Sequence, residues 1–287
     1  MIATSHSANI VLRVVAPDRP GILAAVAPAL ATDGWDIREA AVYGDPDSRK
    51  FFVRMHIAGD TGMVERLPVL MAPHEAALGL SWDSRDLAIP IRILVAVSKH
   101  DHCLTDIIHK VKIGSLPAEI VGIVSNHESC RALAEWHGYP FHHLPVTAET
   151  RPQQEAAFGD RITRSGAELV VLARYMQVLS NGFSEKLAGR CINIHHSFLP
   201  SFKGAKPYHQ AHSRGVKIIG ATAHYVTADL DEGPIIEQDV RRVSHSATAQ
   251  DCVAIGRETE ASVLSRAILW HAQHRVFLNG SRTVVFA

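Results

Sequence analysis

Short apolar runs alternate with helix-like segments from residue 89 onward, and this alternation constrains the fold more than any other feature of the sequence. Residues 168–173 are apolar after the first position, as expected of a strand buried on both faces of a sheet. Strands that alternate with helices in this way form parallel sheets with helices on both faces. We therefore predict an α/β fold with a mostly parallel, Rossmann-like sheet for this part of the chain.

The individual elements of this sheet follow from local periodicity. Strands are predicted at residues 89–97, 119–125, 141–146, 168–173, 192–197, 218–226 and 235–243. Helices are predicted at residues 128–138, 153–165 and 248–274. Asn279-Gly280 joins two last runs, 275–278 and 283–286, and favours a short hairpin. Ligands bind such sheets beyond the carboxyl ends of the strands, so we expect the functional site at that edge.

Residues 1–84 follow a different order of elements. Strands are predicted at residues 9–15, 37–43, 50–57 and 81–83, with helices at 22–33 and 62–78. The order β-α-β-β-α-β is that of the ferredoxin-like fold. A polar junction at residues 85–88 follows this segment, so we predict two domains, 1–84 and 85–287.

The charge balance argues against one class of partner. Lys and Arg total 29 and so do Asp and Glu, which leaves no net positive field to hold a nucleic acid. The four cysteines form no C-x-x-C pair, which suits reduced thiols in a cytosolic protein. No apolar run reaches the length of a membrane span, and no secretory leader opens the sequence. We therefore expect a cytoplasmic protein with neither nucleic-acid nor membrane partners.

Three polar residues form the main chemical signal. Asn193 and His195 are two residues apart on a predicted strand, so their side chains project from the same face. Asp231 follows a later apolar run, in an acidic turn that ends with Gly233-Pro234. An amide, an imidazole and a carboxylate together suit acyl transfer, because they can stabilise an oxyanion and move protons.

The adjacent His195 and His196 invite a metal-site interpretation, which their spacing disfavours. Neighbouring residues on a strand point to opposite faces, and no third ligand follows at a useful spacing. We therefore expect no metal and no cofactor, with His196 in a packing or supporting position. Ser197 lacks the G-x-S-x-G environment of a nucleophile, so a hydrogen-bonding role is favoured for its hydroxyl.

Residues 14–23, which contain the sequence D-R-P-G-I-L, resemble the opening of an ACT domain. That resemblance implies a small regulatory module that pairs with other copies and often senses amino acids. It implies an effector near Asp18, Pro20 and Gly21, and a dimeric or tetrameric protein. An alternative stays open, in which Gly21 only allows the turn to close and the module only builds the oligomer.

Four segments of the second domain resemble folate-dependent formyltransferases. They are LARYMQVLS at 172–180, NIHHSFLP at 193–200 followed by Gly204, GATAHYVT at 220–227, and LDEGPII at 230–236. With the ACT-like segment in front, the whole chain resembles the formyltetrahydrofolate deformylase family, whose members hydrolyse 10-formyltetrahydrofolate to tetrahydrofolate and formate. The resemblance implies a formyltransferase fold, a folate substrate, and a place in one-carbon metabolism or purine biosynthesis.

The resemblance also implies a set of site residues. Asn193 and a protonated His195 would stabilise the oxyanion. Asp231 would keep His195 charged, orient the attacking water and pass its proton toward the departing N10. The residues implied to contact the folate are Met176, Val178, Leu179, Thr227 and Leu230. The possible supporting residues are His102, Ser197, His224 and Gly204.

The formyl acceptor leaves alternatives open. Phosphoribosylglycinamide formyltransferases hold the substrate phosphate on a glycine-rich turn, whereas the corresponding residues 97–104 contain no glycine. His102, in this turn, either positions a water molecule or only begins a helix. Lys206 places a cation beside the loop and keeps an anionic acceptor in consideration. A non-catalytic folate-binding sensor is the other alternative, and the presence of all three polar residues argues against it.

Overall fold

The structure is a computed structural model that describes residues 7–199 and 207–287. Gly204 and Lys206, both named above, lie outside these ranges. The chain divides into two compact units. One unit contains the residues up to Ile89 together with Gln273–Asn279 and Val284–Ala287, and the other contains Pro90–Ala272 and Gly280–Thr283.

The first unit is built on a four-stranded antiparallel sheet. Its strands are β1 (Ser7–Pro17), β2 (Asp36–Asp45), β3 (Lys50–Asp60) and β4 (Ser81–Asp86), in the spatial order β2-β3-β1-β4. Its helices are α1 (Ile22–Thr32) and α2 (Leu67–Leu78), with a short 3₁₀ helix at Thr61–Arg66 before α2. The elements therefore follow the predicted βαββαβ order of the ferredoxin-like fold.

The core of this unit is formed by apolar residues that alternate along β1 and by apolar residues at helical spacing on α1. Ile10 and Val14 lie on the same face of β1 and are fully buried. Ile22, Val26 and Leu30 recur at the helical period and bury one stripe of α1. All of these side chains belong to a single apolar cluster, so α1 is held by its burial against the sheet.

The second unit is built on a seven-stranded sheet. Its strands are β5 (Ile91–Val97), β6 (Ala118–Ser125), β7 (Phe141–His143), β8 (Leu169–Leu172), β9 (Cys191–His195), β10 (Ile218–Tyr225) and β11 (Ile235–Arg242). Their spatial order is β11-β10-β9-β8-β5-β6-β7. Strands β5 to β9 are parallel, whereas β10 runs antiparallel to both β9 and β11. The mostly parallel sheet that the sequence predicts is confirmed.

Six helices accompany this sheet in the part of the chain that the structure describes. They are α3 (His102–Lys112), α4 (Arg131–Trp136), α5 (Arg151–Ser165), α6 (Asn181–Lys186), α7 (Pro207–Ser213) and α8 (Ala249–Ala272). Helix α3 was anticipated only by the alternative in which His102 begins a helix. Helices α6 and α7 have no counterpart among the predicted elements, because each is too short to show a repeating apolar stripe. Within the described ranges, no helix combines the length and the apolar character that crossing a bilayer requires.

The strand order of the sheet reverses at β5. Strand β6 lies on one side of β5 and β8 lies on the other. Sheets of this kind bind ligands beside the carboxyl ends of the strands at such a point. Strand β8 is buried along its whole length, as predicted for residues 168–173. The residues that follow β8 are therefore placed at the edge where a ligand is expected.

The last two strands depart from the predicted domain boundary. Strands β12 (Val276–Asn279) and β13 (Arg282–Val285) form the predicted hairpin, but most of its residues belong to the first unit. The Phe277 ring lies 5.6 Å from the Phe52 ring, and the Asn279 amide donates to Asp45 at 2.7 Å. The assignment of all of 85–287 to one domain therefore differs from the observed division. An Asn-Gly hairpin signal is local and carries no information about the sheet against which the hairpin packs.

Candidate active site

Strand β9 carries Asn193 and ends at His195. The two residues are two positions apart, so both side chains project from one face of the sheet, as the sequence predicts. His195 is almost fully buried, and its Nδ1 atom lies 3.2 Å from Asp231 Oδ2. The imidazole and the carboxylate are therefore paired.

Asp231 reaches His195 through a loop that follows β10. Because β10 is antiparallel to β9, its last residue, Tyr225, pairs with Ile192 near the start of β9. The loop must then return along the sheet to bring Asp231 to the other end of β9. Asp231 has φ 56°, a left-handed conformation that aspartate adopts more readily than most residues. The site therefore lies over the face of β9 as well as at the carboxyl edge where it was expected.

His224, on β10, orients the Asn193 amide. Its Nδ1 atom donates to the carbonyl oxygen of Tyr225 at 2.9 Å, which leaves Nε2 as an acceptor. Nε2 lies 3.2 Å from Asn193 Nδ2 and accepts a hydrogen bond from it. The amide nitrogen carries a second N–H, which a ligand can accept. His224, one of the possible supporting residues, thus contacts a member of the predicted trio.

Shifted pKa values describe the charge state of the site. Burial acts to raise the pKa of Asp231, but its hydrogen bond with His195 and its closeness to His224, whose Nε2 lies 3.7 Å from Oδ1, lower it well below its usual range. Asp231 is therefore ionised at neutral pH. Burial, together with the nearby charge of Arg174, lowers the pKa of His196 to about 4, so this ring is neutral at the same pH.

The second ring nitrogen of His195 is left unpaired. Nε2 is buried and has no hydrogen-bond partner within residues 7–199 and 207–287. Such atoms are rare in folded proteins, because leaving a buried donor unsatisfied costs about 1–3 kcal/mol. Since Asp231 accepts from Nδ1, Nε2 is the ring atom left for a ligand, as an acceptor on a neutral ring or as a donor on an imidazolium.

A cavity of about 270 Å³ adjoins these groups. Its lining includes Asn193, His195 and Asp231, and it also includes every residue that the resemblance assigned to the folate, namely Met176, Val178, Leu179, Thr227 and Leu230. Met176 and Val178 are half exposed, at 53% and 50%. Exposed apolar side chains beside buried polar ones are the usual composition of a small-molecule site.

Two other suggested supporting residues lie away from this cavity. His102 is the first residue of α3, and its Nε2 atom lies 2.7 Å from Glu260 Oε2. His102 thus begins a helix and is not among the residues that line the cavity. Ser197 is buried, and its carbonyl oxygen accepts a hydrogen bond from Thr222 at 3.0 Å. Ser197 therefore supports the loop after β9 and does not line the cavity.

His196 and Arg174 are cavity residues that the sequence patterns did not reveal. His196 was expected to point away from His195, but their rings stack with centroids 5.1 Å apart. Strand β9 ends at His195, so strand alternation no longer applies to the next residue. The sequence did contain an indication for Arg174. A charged residue that closely follows a fully buried parallel strand lies at the edge of the sheet where ligands bind.

Asp18, Pro20 and Gly21 lie together in the first unit. They line one surface groove, which Ile22 and Phe51 also border. Gly21 precedes α1 with φ 95°, a conformation that other residues rarely adopt. The turn therefore needs a glycine at this position for its own geometry.

One group of potential metal ligands occurs among the described residues, formed by His102, Cys103 and Glu260, with donor atoms within 4.8 Å of one another. Glu260 already accepts hydrogen bonds from His102 and Tyr208 and lies 3.3 Å from Arg174. Burial raises the pKa of the Cys103 thiol well above its usual value, and a protonated thiol is a poor ligand. This donor set does not fit a metal ion.

Known proteins match the chain over nearly its whole length. Residues 91–268 match the model of the formyl transferase family. The chain is 47% identical to the formyltetrahydrofolate deformylase of Corynebacterium sp. (strain P-1), over 98% of this chain and 99% of that protein. The crystal structure of the formyltetrahydrofolate deformylase from Burkholderia mallei ATCC 23344 is 50% identical, with a TM-score of 0.93 over 98% of this chain and 100% of that one.

A formyltransferase with another acceptor matches less of the chain. Glycinamide ribonucleotide transformylase 1 of Symbiobacterium toebii is 31% identical, with a TM-score of 0.65, and the match covers 69% of this chain and 95% of that one. The two deformylases match nearly all of both units. The chain therefore belongs to the formyl transferase family and, within it, to the formyltetrahydrofolate deformylases.

Proposed function

We propose that the protein hydrolyses 10-formyltetrahydrofolate to tetrahydrofolate and formate at the cavity beside β9. Water adds to the formyl carbon, and the bond between that carbon and N10 then breaks. One proton of the water goes to N10, and the other is released when formic acid ionises. The observation that carries the proposal is the buried Nε2 atom of His195, unpaired within the described residues and adjoining the same cavity as Asn193 and Asp231.

Asn193 and His195 are the donors for the oxyanion that forms when water adds. Each is oriented before the substrate arrives, His195 by Asp231 and Asn193 by His224. Donors held in advance need no reorganisation during the reaction, which is why they stabilise a transition state so effectively. Loss of one donor of this kind typically costs ~3–4 kcal/mol of transition-state stabilisation.

Asp231 stabilises positive charge on the His195 ring and handles the protons. It is ionised at neutral pH, and its Oδ2 atom faces Nδ1 of the ring at 3.2 Å. A carboxylate in this place also accepts a hydrogen bond from the attacking water and passes the proton toward N10. Water and these side chains supply every atom and proton that the reaction needs, so the proposed mechanism takes no metal and no cofactor.

The folate ring system contacts the apolar part of the cavity. Met176, Val178 and Leu179 line one part of it, and the loop from Thr227 to Leu230 lines another. Both segments present side chains that are more exposed than apolar residues usually are, notably Met176 at 53% and Leu230 at 61%. A bound aromatic ring would cover this surface and stabilise it by removing it from water.

Water is the acceptor in this proposal because the turn after β5 has no glycine and two of its side chains are held by neighbouring residues. Ser98 Oγ donates to Asn126 at 2.6 Å and accepts from the Met176 backbone at 2.9 Å. His102, at the end of the same turn, is held by Glu260. A phosphate needs free backbone N–H groups in a glycine-rich turn, and these contacts support a small acceptor instead.

Formate release distinguishes the candidate functions. Purified protein is supplied with 10-formyltetrahydrofolate in buffer alone, and then with glycinamide ribonucleotide added. We expect equal amounts of formate and tetrahydrofolate, at a rate that the ribonucleotide does not change. Formyl transfer to the ribonucleotide would reject the hydrolase, and tight folate binding without turnover would indicate a sensor.

The first unit is assigned, in the same proposal, to the ACT type of regulatory module within a dimer or tetramer. Its ferredoxin-like order of elements and the groove that contains Asp18, Pro20 and Gly21 support this assignment. We expect one or more of the common amino acids to change the hydrolysis rate and to raise the melting temperature. If none of them changes either quantity, the groove has no effector role, and analytical ultracentrifugation tests the oligomer separately.

A further inference from the structure

Glu260, on α8, lies at the centre of a buried polar cluster that the proposed mechanism does not use. Its side chain is 1% exposed. The Tyr208 hydroxyl donates to Oε1 at 2.7 Å, while His102 Nε2 and Arg174 Nε lie 2.7 Å and 3.3 Å from Oε2. We refer to these four residues as the Glu260 cluster.

The carboxylate of the Glu260 cluster is charged. Burial acts to raise the pKa of Glu260, but the hydrogen bond from His102, the charge of Arg174 and the hydrogen bond from Tyr208 lower it overall. A buried, ionised carboxylate is stable only beside fixed cationic or donor groups. Glu260 and Arg174 therefore hold each other in place.

Arg174 connects the Glu260 cluster to the cavity that contains Asn193 and His195. Its backbone has φ 64°, a left-handed conformation that is uncommon for a long side chain. Its Nε atom faces Glu260 Oε2 at 3.3 Å, whereas its Nη1 atom is buried and has no hydrogen-bond partner in the described ranges. A strained backbone and an unsatisfied donor in a cavity-lining residue are both features that a bound ligand would account for.

The groups around Arg174 suit a small anion. The neighbouring His196 ring is neutral at physiological pH and stacks on His195. An anion beside the guanidinium therefore contacts the neutral His196 ring. The carboxylates of Asp231 and Glu260 each already have a histidine partner.

We propose that Arg174, positioned by Glu260, binds the carboxylate of the formate product. This inference rests on the proposed hydrolysis, in which the formyl oxygen and the oxygen of water become the two oxygens of one carboxylate. A guanidinium can donate two parallel hydrogen bonds to a carboxylate, but a neutral formyl group offers only one acceptor oxygen. Arg174 therefore binds the product side of the reaction more tightly than the substrate side, and it accepts small monocarboxylates as a class.

Formate binding without turnover tests the inference. Sodium formate is titrated into protein saturated with tetrahydrofolate, at an ionic strength kept constant with sodium chloride, and binding is followed by calorimetry or by the signal of ¹³C-labelled formate. We expect saturable binding in the wild type and a loss of at least about tenfold in affinity in Arg174→Gln. Tetrahydrofolate affinity should change by less than about twofold in the same variant.

Arg266→Gln is the matched control. Arg266 also has a buried Nε atom without a hydrogen-bond partner in the described residues, and it pairs with Asp239 and Glu237. It does not line the catalytic cavity, so its substitution should leave formate affinity unchanged. Arg174→Lys keeps the charge without the planar fork and should bind formate with intermediate affinity.

Three outcomes overturn the inference. They are the absence of saturable formate binding in the wild type, equal formate affinity in the wild type and Arg174→Gln, and a parallel loss of tetrahydrofolate affinity. The last outcome would mark Arg174 as a folate contact. If Arg174→Gln does not fold, Arg174→Lys and the wild-type titration decide by the same criteria. Because these titrations need no catalysis, formate binding at Arg174 without formate release would reject the proposed function and leave Arg174 as a site for small monocarboxylates.

Discussion

The Asp231 site and the Glu260 cluster contain the same two chemical groups in different surroundings. In each, a carboxylate with a lowered pKa lies close to an imidazole, at 3.2 Å from His195 and at 2.7 Å from His102. The Asp231 side chain is 21% exposed and lines the cavity, whereas the Glu260 side chain is 1% exposed.

The Asp231 site and the Glu260 cluster differ in which polar atoms lack a hydrogen-bond partner. Both carboxylate oxygens of Glu260 already contact Tyr208, His102 or Arg174. Its negative charge therefore holds those three side chains in place. At the other site, the far nitrogen of His195 is buried and unpaired within the described residues. A carboxylate–imidazole pair can thus take part in catalysis or only stabilise the fold. Which of the two it does depends on whether its other polar atoms already have hydrogen-bond partners.

The sharpest test of this contrast replaces each histidine in turn. His195→Ala removes an oxyanion donor and the partner of Asp231, so we expect kcat to fall by about 10³-fold. His102→Ala, the matched change in the Glu260 cluster, should lower kcat by less than about tenfold. Steady-state formate release measures both. Equal losses in the two variants would contradict the assignment of chemistry to one pair and structure to the other.

The next largest effect is on stability. Glu260→Gln leaves the Arg174 charge buried without its carboxylate, so we expect the free energy of unfolding to fall by about 3 kcal/mol. Urea titration monitored by fluorescence measures the change. Glu258→Gln, on the exposed side of the same helix, is the control and should change stability by less than about 0.5 kcal/mol. Equal effects would show that Glu260 is not a structural centre.

Substitution of Asp231, the carboxylate of the other pair, should affect activity rather than stability. Asp231→Asn removes the charge that supports His195, and we expect kcat to fall at least ~10²-fold while folate still binds. Equilibrium folate binding and single-turnover formate release separate the two quantities. Glu232→Gln, in the same loop but outside the cavity lining, serves as the control and should retain near-normal turnover. Near-normal turnover in Asp231→Asn would remove this carboxylate from the mechanism.

The last prediction is a pH dependence of stability that arises from His196. Its pKa is lowered from 6.5 to about 4 in the folded protein, so the unfolded chain binds more protons between these values. Stability should therefore fall as the pH falls through this window, and His196→Gln should weaken that dependence. Unfolding free energies measured at several pH values between about 7 and about 4 test this prediction. An identical pH slope in both proteins would contradict it.

The order of strands and helices was predictable because each element carries its own periodicity. The alternation in β1 and the continuous apolar run of β8 are local patterns, and the structure confirms both. The shared face of Asn193 and His195 follows from strand geometry in the same way. Helices α6 and α7 escaped prediction because six or seven residues contain too little of a helical repeat, whereas the equally short α4 was predicted only as part of the longer segment 128–138.

The sequence by itself therefore determined the βαββαβ order, the mostly parallel sheet and the positions of the trio on their strand and turn. Only the tertiary structure decided that His196 stacks on His195, that Arg174 pairs with Glu260, and that the C-terminal hairpin packs with the first unit. These contacts depend on where a strand stops and on residues that are distant in the chain. No pattern within a single element encodes them, because burial and charge pairing are properties of the packed molecule.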